Sequence, residues 1–295
     1  MSKIKSILIT GSRGQLGSSL KQLASNYPHY DMVFVSRTEL DLSNIDSIRQ
    51  FFRKHQFDLI INCAAYTAVD KAESEPELAD KINHLATKCL AEIANKQNAK
   101  LIHISTDYVF NGQSTEPYSE TDDVEPQSVY GLTKLLGEQA LLQEMTNNAV
   151  IIRTSWVYSE FGSNFVKTML RLGKERDSLN VVCDQIGSPT YAHDLAQAIM
   201  SIVEHPDFNE RDFSSELFHY SNDGVCSWYD FAMAIFNFTS ISCAISPIET
   251  KDYPTDAKRP QFSVLNKAKI KQGYGVDIPY WQDSLQLCLE QITGN

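Results

Sequence analysis

The stretch SILITGSRGQLG, residues 6–17, constrains the fold more than any other part of the chain. Its apolar start reads as a buried strand, Ser6–Thr10, which passes directly into Gly11, Gly14 and Gly17 at G-x-x-G-x-x-G spacing. A helix over 15–26, opened by Gln15 and Leu16, follows. Glycine is needed where the backbone takes positive φ or comes close to a ligand. A strand that turns over glycines into a helix N-terminus gathers free N–H groups and the positive end of the helix dipole at one point. That arrangement suits a pyrophosphate. The motif by itself implies a dinucleotide and leaves the reaction open.

The alternation begun there continues. Short apolar runs at 32–35, 59–63, 100–105 and 150–153 alternate with helical stretches at 46–55, 76–95 and 129–142. This pattern predicts βαβ units and a Rossmann-like, doubly wound parallel α/β sheet. The second half is less regular, with helices expected at 164–176, 194–204 and 281–292 and a capping-box start at Ser227-x-x-Asp230. We expect a dinucleotide-binding domain over 1–155. A smaller α/β substrate-binding lobe is expected over 156–295, with some of its segments returning to the sheet.

Composition restricts the partners. The chain is 42% hydrophobic, enough to furnish a core in each lobe, and its net charge is −11. An acidic surface does not attract nucleic acid or anionic membranes, so any anion must be held by a local cluster of donors. The six cysteines form no CxxC and the seven histidines no ligand spacing, so we expect reduced thiols and no metal centre. No signal peptide or membrane-length apolar run is seen, and the expected location is cytoplasmic.

The second strand selects the cofactor. NAD sites place an acid at its end for the ribose 2′-OH. Here that strand ends Val35-Ser36-Arg37, and Arg13 sits inside the glycine loop. Two guanidinium groups suit a 2′-phosphate, so NADPH is expected, with NADH the alternative. Asp41 and Leu42 are placed to flank the adenine.

VYGLTKLLGEQALL, residues 129–142, carries the reaction chemistry. At 100° per residue, Tyr130 and Lys134 lie on one face with Gly137, which leaves room beside them. Leu132, Leu135 and Leu136 fall on the other side and read as the core stripe. A tyrosine exchanges protons near neutrality only if its pKa, ordinarily near 10, is depressed, and an ammonium one turn away supplies that bias. KLIHISTDYVF offers the Ser105 and Thr106 hydroxyls at the carboxyl end of the fourth strand, where open α/β sheets bind ligands. No side chain donates hydride, so the dinucleotide must.

Glycine loop, Thr106, Tyr130 and Lys134, in that order, resemble the extended short-chain dehydrogenase/reductases. The segments CAAYTAVDKAESEPELA (63–79), STDYVF, VYGLTKLLGE, RTSWVY, NFVKTMLRLGKER, DQIGSPT and KRP narrow the likeness. Together they resemble the dTDP-4-dehydrorhamnose reductase family over nearly the whole chain. The resemblance implies reduction of a dTDP-4-keto-6-deoxy sugar for cell-surface polysaccharide such as lipopolysaccharide O-antigen. It gives Thr106 and Asp107 to the sugar, Tyr130 to proton donation, and Lys134 to the nicotinamide ribose and the tyrosine pKa. Ala64, Ala65 and Tyr66 would pack against the cofactor. Trp156 would line the substrate pocket, and Arg259 would meet the nucleotide diphosphate. Dehydratases of the superfamily place Asp-Glu after the threonine; Asp107-Tyr108 argues against water elimination. Well-known bacterial members hold magnesium between subunits with carboxylates at positions where this chain has Ser19 and His193. No magnesium is therefore expected, and either a monomer or a homodimer fits. Two alternatives carry the same resemblance: an NADP-binding regulatory subunit of methionine adenosyltransferase, and a related ketosugar reductase or epimerase.

Overall fold

The structure, a computed structural model, describes residues 4–210 and 212–294. Strands β1 (Ser6–Thr10), β2 (Asp31–Val35), β3 (Leu59–Asn62), β4 (Lys100–Thr106) and β5 (Ala149–Thr154) form one sheet with a sixth strand, Glu216–His219. The spatial order is Glu216–His219, β5, β4, β3, β1, β2, and every pairing is parallel. Each strand shows apolar side chains to both faces, which is what a doubly covered sheet requires. Ile7, Ile9, Leu59, Ile61 and Ile102 pack with Leu16 and Leu20 of helix α1 (Gln15–Leu23) and with Leu195 and Ile199 of the Ala192–Glu204 helix. Leu8, Ile60, Leu101 and Ile151 face the opposite way. They meet Ile48 and Phe52 of α2 (Ile45–Phe52), Leu90 of the Ala86–Gln97 helix and Leu141 of the Val129–Glu144 helix. A fully buried strand isoleucine contributes roughly 2 kcal/mol.

A separate apolar core joins the Phe165–Glu175, Trp228–Thr239 and Trp281–Thr293 helices. Asn164 caps the first of these by accepting the Lys167 N–H, and Ser227 and Asp230 form the expected capping box on the second. Ser178–Val182 and Ala244–Ile248 pair in parallel beside this core.

Two expectations need correction. The single helix over 76–95 is broken into Pro76–Asp80, a wider π-type turn at Lys81–Leu85, and Ala86–Gln97. Asn83 explains the break. Its side chain is buried and bonds both backbone groups of Tyr66 and the Thr133 hydroxyl, which draws this turn onto the Val129–Glu144 helix. The leucine stripe of that helix is only partly inward: Leu135 is buried in a cluster with Val109, Phe110 and Leu265 and Leu136 is half-buried, but the third leucine is not. Leu132 is 47% exposed, whereas Tyr130, Gly131, Lys134, Gly137 and Glu138 are buried. The Tyr130/Lys134 side rests on the sheet's carboxyl end, so the inward face carries the polar chemistry and a leucine is left in solvent. The room at Gly137 is taken by backbone: a Cβ there would stand 2.2 Å from the Asn83 carbonyl oxygen.

Candidate active site

The chain leaves β1 toward β2 on one side, while β3, β4 and β5 follow on the other. The crevice at the carboxyl ends of β1 and β3 is therefore the topological switch point where such sheets bind ligands. A cleft of about 880 Å3 opens there. Gly11, Arg13, Gly14, Gln15 and Leu16 line it from the glycine loop, and Arg37, Asp41 and Leu42 from beyond β2. Ala64, Ala65 and Tyr66 line it after β3, Thr106 and Asp107 at β4, Tyr130 and Lys134 on the helix, and Trp156 after β5.

The glycines divide the work. Gly11 sits at φ +66°, and a Cβ on it would come within 2.9 Å of the Ala64 backbone. Gly17 does not line the cleft; a Cβ there would meet the Gly11 carbonyl oxygen at 2.3 Å, so its absence lets α1 lie against the turn. Gly14 precedes α1 with no side-chain cap, which leaves first-turn N–H groups available for an anion. Gln15 spends its amide on the second lobe: Nε2 donates to the Val157 carbonyl at 3.1 Å, and Oε1 accepts from Ser159 and Asn164. Arg37 is exposed, and its Nε stands 3.4 Å from Asp41. The cleft thus has a phosphate cradle with two cations near it. It also has a buried Ser105 hydroxyl with no hydrogen-bond partner among the described residues. These features fit a phosphorylated dinucleotide.

At the other end of the cleft, Thr106, Asp107, Tyr130 and Lys134 are all buried. The Thr106 hydroxyl donates to Asp107 Oδ1 at 3.0 Å and accepts the Tyr108 N–H at 3.2 Å. Burial pushes Asp107 up to about 7. Burial also raises the Tyr130 phenol above its ordinary value, with the Asp107 and Tyr108 charges adding and the Thr106 hydroxyl opposing. Lys134 was expected to depress that phenol, but its ammonium is engaged elsewhere. Nζ donates to the Ile104 carbonyl at 2.6 Å and stands 3.2 Å from His103 Nε2. Burial brings Lys134 itself down to about 8, against the pull of Glu138.

Trp156 stacks on Trp228 with ring centroids 3.5 Å apart and planes 10° from parallel. Its φ of +48° is rare for a bulky residue, and a Cβ at Gly187 would meet its ring at 2.7 Å. One face of the indole is thus held by protein, although the residue also lines the cleft. Arg259 does not line the cleft; it stands behind Tyr108, donating to that hydroxyl at 3.2 Å and pairing with Asp70 at 2.5 Å. Trp228, Gly187, Asp70 and Tyr108 carry no spacing signal that marks them beforehand. Ser19 donates its hydroxyl to the Gln15 carbonyl, and His193 lies 3.3 Å from Gln197.

The family model for the RmlD substrate binding domain matches residues 5–293. The chain belongs to the dTDP-4-dehydrorhamnose reductase family. It is 42% identical to the dTDP-4-dehydrorhamnose reductase of Aggregatibacter actinomycetemcomitans, over 95% of this chain and 97% of the relative. It is 40% identical to a spore coat polysaccharide biosynthesis protein of Bacillus subtilis, over 97% of both. Among solved structures, the Bacillus anthracis dTDP-4-dehydrorhamnose reductase in complex with NADP superposes with a TM-score of 0.90 at 38% identity. That likeness covers 99% of this chain and all of that one. Family members are oxidoreductases of Rossmann type. No helix among the described residues is long and apolar enough to cross a membrane.

Proposed function

We propose that the protein reduces the C4 keto group of dTDP-4-dehydro-L-rhamnose to give dTDP-L-rhamnose, with NADPH as cofactor. The observation that carries this reading is one cleft joining the phosphate cradle at Gly11–Gly14 to Thr106, Tyr130 and Lys134. NADP bound to the Bacillus anthracis relative supports the choice of cofactor. When bound, NADPH supplies the hydride. First-turn N–H groups of α1 hold the pyrophosphate, Arg13 and Arg37 take the 2′-phosphate, and Ala64, Ala65 and Tyr66 form the wall behind it.

Thr106 orients the sugar carbonyl, and Tyr130 gives its proton to the alkoxide oxygen as it forms. The raised phenol pKa keeps Tyr130 protonated until that moment, so it acts as an acid rather than resting as a phenolate. Lys134 contributes positive charge, which stabilises the phenolate left behind. Trp156, fixed by Trp228, presents an apolar wall for the deoxysugar, and Arg259, held behind Tyr108 by Asp70, adds positive charge at that end of the cleft rather than a direct contact to the diphosphate. The enzyme works in the cytoplasm as a monomer or homodimer, with no nucleic-acid or membrane partner.

NMR of the sugar formed from dTDP-4-dehydro-L-rhamnose tests the stereochemistry. The L-rhamno configuration is expected, and a C4 epimer would assign the chain to a different ketosugar reductase.

A further inference from the structure

A polar row crosses the apolar sheet directly beneath Lys134. The register sets Thr10 of β1 opposite Asn62 of β3, and Asn62 opposite His103 of β4. All three are buried, and His103 has no exposed surface. Their hydrogen bonds run in one direction. The Ala64 N–H donates to Thr10 Oγ1 at 3.2 Å. Thr10 Oγ1 donates to Asn62 Oδ1 at 2.7 Å. That leaves the Asn62 amide Nδ2 to donate to His103 Nδ1, 3.0 Å away. A neutral imidazole that accepts at Nδ1 carries its proton on Nε2. That N–H points at Lys134 Nζ, 3.2 Å distant.

An ammonium has three donors and no acceptor, whereas a neutral amine has a lone pair. His103 Nε2–H therefore finds a partner in Lys134 only when Lys134 is neutral. Charging Lys134 sets donor against donor or forces His103 and Asn62 to rearrange. We infer that His103 is a positioning residue whose Nε2–H, fixed through Asn62 and Thr10, holds Lys134 in place and favours its uncharged form.

Burial also disfavours the Lys134 ammonium, but none of the other groups facing it does. On its own helix, Glu138 favours the ammonium and is itself held by the Arg153 guanidinium from β5 at 2.7 and 3.0 Å. Tyr130 is protonated, and Asp107, which follows β4, is tied to Thr106. The packed turn Lys81–Leu85 contributes the uncharged Asn83, which bonds Thr133 instead. Burial holds His103 neutral, in keeping with this role, and brings Lys134 down to about 8.

The kinetic consequence rests on the reductase reading, in which turnover needs Lys134 charged; kcat then falls as pH rises through the Lys134 pKa. His103→Phe removes the opposing N–H and raises that pKa, so the basic limb of the kcat profile moves up by about one pH unit. A merely structural role lowers kcat or stability and leaves the limb in place; an unmoved limb, or one shifted downward, overturns the inference. A second measurement needs neither turnover nor a folded variant. In native protein labelled with 15N-histidine, the His103 resonances should show a protonated Nε2 and a bare Nδ1. The opposite tautomer overturns the inference even if the enzyme reduces the ketosugar. If the expected tautomer is found but the native chain turns over no ketosugar, the reductase reading fails and the His103 contact stands.

Discussion

Arg37 and Asp107 give the clearest consequences at the level of single residues. Arg37 lies 72% exposed at the end of β2 and is the group on which the choice of NADPH rests. Arg37→Ala should raise KM for NADPH about tenfold or more while leaving the KM for NADH within a factor of about two, because only NADPH carries the 2′-phosphate. Equal effects on both cofactors would contradict the assignment. Asp107 is buried, and its folded pKa of about 7 exceeds the unfolded value of about 3.9. A carboxyl raised by folding adds stability below its unfolded pKa and loses it as pH climbs through the folded one. Between about pH 5 and pH 8 the native protein should lose roughly 2–3 kcal/mol from this group. Asp107→Asn should flatten that interval in urea unfolding, and identical pH dependence in both proteins would refute the link.

At the scale of elements, the Val129–Glu144 helix shows what the sequence reveals and what it withholds. Four-residue spacing correctly put Tyr130 and Lys134 on one face, but periodicity could not say which face turns inward. The answer lies in packing: Gly131 and Gly137 let the helix approach the Tyr108 and Asn83 carbonyls, where a Cβ would stand 2.2 Å away in both cases. Gly137→Ala should therefore push the helix off the Lys81–Leu85 turn. The expected cost is about 1–3 kcal/mol of stability, read as a Tm lowered by several degrees, with kcat falling because Tyr130 and Lys134 move too. An unchanged Tm would show that the close approach is not needed. The π-type turn at Lys81–Leu85 was not legible because Asn83 acquires its partners, Tyr66 and Thr133, only after folding.

At the scale of the whole molecule, the glycine loop and the strand–helix alternation made the parallel sheet readable, because short apolar runs between helices leave a chain few alternatives. Some second-half segments were expected to return to the sheet, but that Glu216–His219 supplies the sixth strand was not legible. It is four residues long, and its place at the sheet edge follows only from pairing with β5. The Thr10–Asn62–His103 row was equally hidden, since each residue sits on a different strand and only the register makes them neighbours. Trp228 meets Trp156 only because the second lobe folds back on itself. The central claim is that this assembly makes Tyr130 the acid of a ketosugar reductase. Steady-state NADPH oxidation with dTDP-4-dehydro-L-rhamnose, measured in parallel for the native chain and Tyr130→Phe, tests it most directly. The account predicts turnover by the native protein and a kcat lowered by about 10²–10⁴ in the variant, with NADPH affinity little changed. No turnover by the native protein, or an undiminished rate in Tyr130→Phe, would contradict it.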